Sequence, residues 1–279
     1  MGFFRTKKII FLIVLHTFLL SVALSCILPF FWMINVSFKT QQQYDDDFGL
    51  SLASHLNWEN YKTVIITEQF WRYFLNSVLY TFITVLFIVF ISSLAAYAFS
   101  RLHFPGKNII FYAFLAAMMI PLPAGFVPVY ALLQQFHLLN RTGYVLAMTN
   151  MGLSISIYLL KTFFDQLPRD LEDAARIDGC SKLQIWWNVG LPLITPALGV
   201  VVIFNALNVW NEFVLASLIF TGDKYMPLQV GLMQFSGKLV TYHTLIMAAL
   251  TVAALPIIIL YIRMQKQFIK GITAGALVG

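Results

Sequence analysis

The sequence predicts an all-α polytopic membrane protein with six transmembrane helices and both termini in the cytoplasm, and three observations lead there. Charged residues make up 11% of the chain against 59% hydrophobic, with a mean hydropathy of +0.79, whereas soluble domains carry about 25% charged residues. Six stretches reach the roughly 20 apolar residues that cross a bilayer: 9–33, 74–100, 109–133, 143–164, 193–220 and 245–262. The basic residues between them are unevenly shared. Arg5, Lys7, Lys8, Arg101, Lys107, Lys161, Arg169, Arg176, Lys182, Arg263, Lys266 and Lys270 fall on one side, and the rest of the 18 on the other. The richer side is the cytoplasmic one by the positive-inside rule. It holds both termini and the long polar loop before the fifth span. The net charge of +6 is thus accounted for by topology, and nucleic acid is not implied as a partner.

The first span follows Arg5, Lys7 and Lys8, and Ala23-Leu24-Ser25-Cys26 resembles a lipoprotein cleavage site. A signal sequence has an apolar core of about 7–15 residues. This run continues from Ile9 through Met33, so it reads as an uncleaved anchor. An outer stretch, 37–73, carries Asp45, Asp46 and Asp47, with Trp58 and Trp71 suited to interface depth. Cys26 and Cys180 offer neither a disulfide framework nor a zinc spacing.

The third span breaks the rules of a regular helix. Pro121, Pro123 and Pro128, with Gly125, lie inside it, and each proline removes a helix hydrogen bond. Irregular backbone about 18 Å into a span is tolerated only against other protein or a wet cavity. A hinged packing helix and a cavity lining both fit. In the fifth span Asn205, Asn208, Asn211 and Glu212 recur at helical spacing. An ionisable group in a span normally faces a bundle interior or a polar path. This face predicts a translocation path, with amides that join helices as the alternative.

Residues 166–196 are built to be wet. Pro168 suits a helix start, and Asp170, Glu172 and Asp173 suit the positive end of its dipole. Gly179 suits a left-handed stop, and Ser181 with Gln184 forms a capping box for a second short helix that Leu191-Pro192 closes. On these features alone, a solvated loop with no partner and a docking element are both open. The chain has no GxxxxGK[ST], HExxH or GxSxG motif, and one intramembrane glutamate makes no convergent catalytic set. It has a path and no engine. A membrane-embedded enzyme or a scaffold is the alternative of another class, distinguished by activity or stability of the chain alone.

The segment EDAARIDGCSKLQIWWNVGLPL resembles the EAA loop of permease subunits of bacterial binding-protein-dependent ABC importers. Glu172, Ala174, Ala175, Asp178, Gly179, Ile185, Leu191 and Pro192 carry the pattern. Asp173 stands between the glutamate and the alanine pair, so either acidic residue fits the family's acidic position, and Cys180 stands where alanine is usual. SFK at 37–39, NWENY at 57–61, SRLHFPGKN at 100–108, WNEF at 210–213, PLQVGL at 227–232 and the terminal KGITAGALVG are similar to the carbohydrate-uptake branch. There it is most like the shorter of two permeases in maltose-type systems. The resemblance implies a type I importer permease fold: one transmembrane domain over 1–279, with a cytoplasmic coupling loop at 165–192 and a cytoplasmic tail at 263–279. It further implies a bacterial inner-membrane location and a sugar or oligosaccharide solute, or otherwise a glycerophosphodiester or polyol. The implied partners are a second permease, two cytoplasmic ATPases and an extracytoplasmic solute-binding protein, with ATP-Mg held by the ATPases and no cofactor on this chain. Glu172, Asp173, Ala174, Ala175, Arg176, Asp178, Gly179, Ile185, Leu191 and Pro192 are then the ATPase-docking residues. Asn205, Asn208, Asn211 and Glu212 are the path residues, with no catalytic or metal site.

Overall fold

The structure is a computed structural model that describes residues 2–238 and 242–276. Every regular element among the described residues is helical. In order they are α1 (Gly2–Ser37), α2 (Gln41–Asp47), α3 (Glu59–Lys62), α4 (Phe70–Arg101), α5 (Lys107–Ala117), α6 (Leu122–Gln135), α7 (Arg141–Gln166), α8 (Asp170–Ile177), α9 (Lys182–Ile185), α10 (Leu191–Leu193), α11 (Thr195–Trp210), α12 (Val214–Ile219), α13 (Leu228–Lys238) and α14 (His243–Ala276). Among the described residues Ile9–Ser37, Phe70–Arg101, Arg141–Gln166 and His243–Lys266 are long and apolar enough to cross a membrane. Residues 277–279 of the expected tail lie outside the described residues. The chain divides into two compact units, Met1–Phe70 with Leu232–Ala254, and Trp71–Gly231 with Leu255–Gly279.

In the first unit, α1 runs without a break through Cys26 and Pro29, and its flank from Ile9 to Phe31 is exposed, an apolar surface suited to lipid or partner helices. The stretch after it is ordered rather than open. Lys39 is fully buried, its Nζ 2.9 Å from both carboxylate oxygens of Asp47 and 3.0 Å from the Ser51 hydroxyl. The Asn60 amide donates to the carbonyls of Ser37 and Lys39, and Asn35 bonds Ser51 and Ala53. A lysine counted as one more outer charge in the sequence is thus a buried structural cation.

Two apolar clusters hold the second unit. In the first, Tyr80 of α4 stacks on Phe220 at 5.6 Å and meets Tyr144 of α7 edge-on at 5.4 Å, with Leu215 and Met226 packed around them. The Asn76 amide and Ser77 hydroxyl, one turn earlier on α4, satisfy the backbone of 224–228. The second cluster packs Ile88, Tyr97, Leu160 and Phe164 of α4 and α7 against Ala175, Ile185 and Trp186 of the polar loop and against α11.

Two expected spans are broken. The third divides into α5 and α6 around 118–121, with Pro123 in the first turn of α6, where its missing donor costs nothing. The fifth ends at Trp210, so Asn211 and Glu212 lie beyond α11 and not on one continuous helix face with Asn205. Nor does Leu191-Pro192 close the loop's second helix. The helical path continues through a π-turn at Trp186–Gly190 and through α10, where Pro192 again sits in a first turn. It then bends by 80° at the step between Leu193 and Thr195.

Candidate functional site

The loop forms two short helices, as its local signals require. Asp170, Glu172 and Asp173 occupy the first turn of α8. Gly179 follows at φ +82°, a left-handed geometry that strains any other residue. The Ser181 and Gln184 side chains cap each other's backbone at the head of α9. The ten residues expected to dock divide by setting. Asp173, Ala174, Arg176, Asp178, Gly179 and Pro192 are exposed, Leu191 is half-buried, and Glu172, Ala175 and Ile185 are buried. Asp173 spends its charge on Arg176 at 2.7 Å, both in solvent. Glu172 turns inward, its Oε1 2.7 Å from Nε of Arg101 at the end of α4. The exposed face also includes Leu171, Ile177 at 87% exposure and Leu183. These apolar residues are inconspicuous in a loop whose flanking residues are mostly polar. Leu171, Ala174 and Ile177 recur every three residues, which was the available signal.

A cavity of about 710 Å³ opens in the same unit among α5, α6, α7 and α11. Its wall includes Met118, Ile120 and Pro121 from the break in the third span and Gly125 from the first turn of α6, so the irregular backbone lines a cavity. Asn205, Asn208 and Glu212 reach it, and Asn211 does not. Asn211 instead bonds the Leu207 carbonyl and Gln229.

The three path candidates differ in how free they are. Asn205 is buried and donates to the Ser156 hydroxyl at 2.9 Å and to the Val201 carbonyl at 2.8 Å, so it joins α11 to α7. The backbones come close because residue 152 is glycine, where a β-carbon would strike Asn205 Oδ1 and Ile88 Cδ1. Glu212 is buried, and its carboxylate accepts the backbone N–H groups of Leu215 at 2.6 Å and Ala216 at 3.0 Å. These are first-turn donors of α12 that would otherwise lack partners. The helix dipole favours the anion there, which explains a carboxylate at this depth. Asn208 is the freest of the three, since it is exposed. Asn150 and Ser154, four residues apart on α7, add polar lining. They are not among the expected path residues, although their spacing puts them on one helix face. No lysine or arginine lines this cavity among the described residues.

Residues 88–274 match the family described as binding-protein-dependent transport system inner membrane component. The chain belongs to that family. It is similar, at 36% identity over 99% of this chain and 98% of the other, to an ABC transporter permease protein of Caldicellulosiruptor sp.. The permease protein AmyC of a starch degradation products transport system from Thermoanaerobacterium thermosulfurigenes is 34% identical over 94% of this chain and 96% of its own length. A crystal structure of a bacterial ABC transporter involved in the import of the acidic polysaccharide alginate matches with a TM-score of 0.82 at 27% identity, covering 93% of this chain and 96% of that one. This chain is therefore a permease component of an ABC transport system and a multi-pass protein of the inner membrane. It is a transport component and not an enzyme.

Proposed function

We propose that this permease forms half of the path for a neutral sugar or oligosaccharide and takes its driving motion from cytoplasmic ATPases through the loop at 165–192. The lining of the 710 Å³ cavity carries the solute reading. Asn150, Ser154 and Asn208 offer hydroxyl-matching donors and acceptors. Among the described residues, the sole charge on the lining is the carboxylate of Glu212, which disfavours a uronate or a phosphodiester. The names of relatives that handle starch degradation products and alginate support a carbohydrate solute, and the lining favours the uncharged kind. A second permease completes the path, and an extracytoplasmic binding protein delivers the solute. ATP-Mg stays on the two ATPase subunits. In this reading the chain crosses the membrane six times, with both termini, the loop and the tail at 263–279 in the cytoplasm.

The exposed face of α8 supports the docking role. Ala174 lies at its centre with a bare methyl group, between the exposed Leu171 and Ile177, which suits close approach of a partner surface. Ala174→Trp tests this more cleanly than a change at Gly179, where any side chain strains the loop itself. We expect the variant to insert normally and to lose the ATPases on detergent purification. Full retention with normal uptake would refute docking at this face.

A further inference from the structure

Glu172 and Asp173 are neighbours in sequence with opposite surroundings, and the difference assigns them different work. We propose that Arg101 is a positioning residue that locks α8 to the ends of α4 and α7 through Glu172, leaving Asp173 as the one of these two acidic residues that faces the ATPase. The inference rests on the docking role proposed above.

Arg101 is the last residue of α4, and its side chain is 6% exposed. Its Nε stands 2.7 Å from Glu172 Oε1, and its terminal nitrogen donates to the Leu167 carbonyl at 2.7 Å. Leu167 is the C-cap of α7, so one planar guanidinium engages the end of α7 and the first turn of α8 together. Tyr97, one turn back on α4, directs its hydroxyl at Glu172 Oε2 at 3.5 Å. Both oxygens of this carboxylate thus face α4. Only residues 167–169 separate α7 from α8, and the buried pair adds a polar tie across this link to the apolar packing of Ala175 on Tyr97, Leu160 and Phe164. The Asp173–Arg176 pair is solvated on both sides, and such pairs contribute little rigidity. The buried contact is a close ion pair, since the Arg101 Nε–H has no acceptor in line with it, but the guanidinium spans Glu172 and the Leu167 carbonyl at once, a reach that a single ammonium does not reproduce. A push on α8 is then carried into α4 and α7 instead of being absorbed by the link.

The test uses the complete transporter with both permeases, the ATPases and the binding protein, reconstituted in vesicles. It reads ATP hydrolysed per solute imported. Arg101→Lys and Glu172→Gln preserve size and polarity. Both should retain the ATPases and their stimulation by the binding protein, while the ratio rises roughly two- to thirtyfold. Asp173→Asn should do the reverse, weakening ATPase retention with the ratio unchanged. An unchanged ratio in the assembled Arg101→Lys and Glu172→Gln transporters would overturn the proposal. So would loss of the ATPases from Glu172→Gln, which would turn that residue toward the partner. Where Arg101→Lys fails to assemble, Glu172→Gln carries the test, with spin labels at Thr162→Cys and at Asp170→Cys, the exposed first residue of α8 ahead of Leu171, Ala174 and Ile177, in a chain lacking Cys26 and Cys180. Their distance distribution should broaden when the brace is cut, and an unchanged distribution overturns it. Failure of the docking reading shows separately, as full ATPase retention by Ala174→Trp.

Discussion

At the scale of single residues, the polar groups of this membrane protein are tied first to its own backbone. Glu212 caps α12 with two accepted N–H bonds, whatever it also offers the cavity. Glu212→Ala should cost about 0.5–2 kcal/mol, as loss of a helix cap does, and should speed amide exchange at 214–216. Glu212→Gln, which keeps one of the two acceptor oxygens and sets an NH2 against the other N–H, should recover only part of it; equal exchange in all three proteins would remove the capping role. Asp47 makes a prediction about pH. The Ser51 hydroxyl and then the Lys39 ammonium hold its carboxyl well below the ordinary aspartate value. A folded-state pKa that is depressed contributes stability above the unfolded value, about 3.9, and loses it as pH falls through the folded one. Amide protection across 41–62, taken relative to the intrinsic exchange rate at each pH, should therefore be constant through neutral pH and fall only in strong acid. Asp47→Asn should lower it at neutral pH, and a fall in the wild type near pH 6 would assign the transition to another group.

At the scale of elements, the third span shows how a proline pattern becomes a wall. The break at 118–121 puts Met118, Ile120 and Pro121 on the cavity surface. Replacing Pro121 and Pro123 by leucine restores helix donors and removes the ring clash, so α5 should extend toward α6 and narrow the cavity. Reduced uptake with intact membrane insertion is the expected result, and unchanged uptake kinetics would separate the break from transport. The cavity-lining outcome was one of two that the prolines allowed, because a proline marks where a helix fails but not what it faces. The polar loop was more legible. Gly179, the capping box and the acidic first turn act over a few residues and reappear unchanged in the structure. The direction of Glu172 was not legible, since its partner Arg101 comes from another helix.

At the scale of the whole molecule, the permease has a cavity wall and an exposed, partly apolar face on α8, and energy must come from outside the chain. Reconstituted alone in vesicles, it should neither hydrolyse ATP nor concentrate any sugar, and both activities should appear once the second permease, the ATPases and the binding protein are added. Uptake by the single chain would revive the reading as a self-sufficient membrane protein. The wholly exposed flank of α1 agrees with a subunit that is finished by neighbours.

Composition, apolar run length and local cap signals by themselves determined the membrane class, four of the long apolar helices and the two-helix form of the loop. Each of these is set by the bilayer's thickness or by hydrogen bonds a few residues long. Tertiary structure alone decided that Asn205 joins helices while Asn208 stays free, that Glu212 caps a helix, and that Lys39 is buried against Asp47. It also turned Glu172 inward and Asp173 outward. A side chain's partner depends on which distant backbone packs beside it, and that information is not held at its own position in the chain.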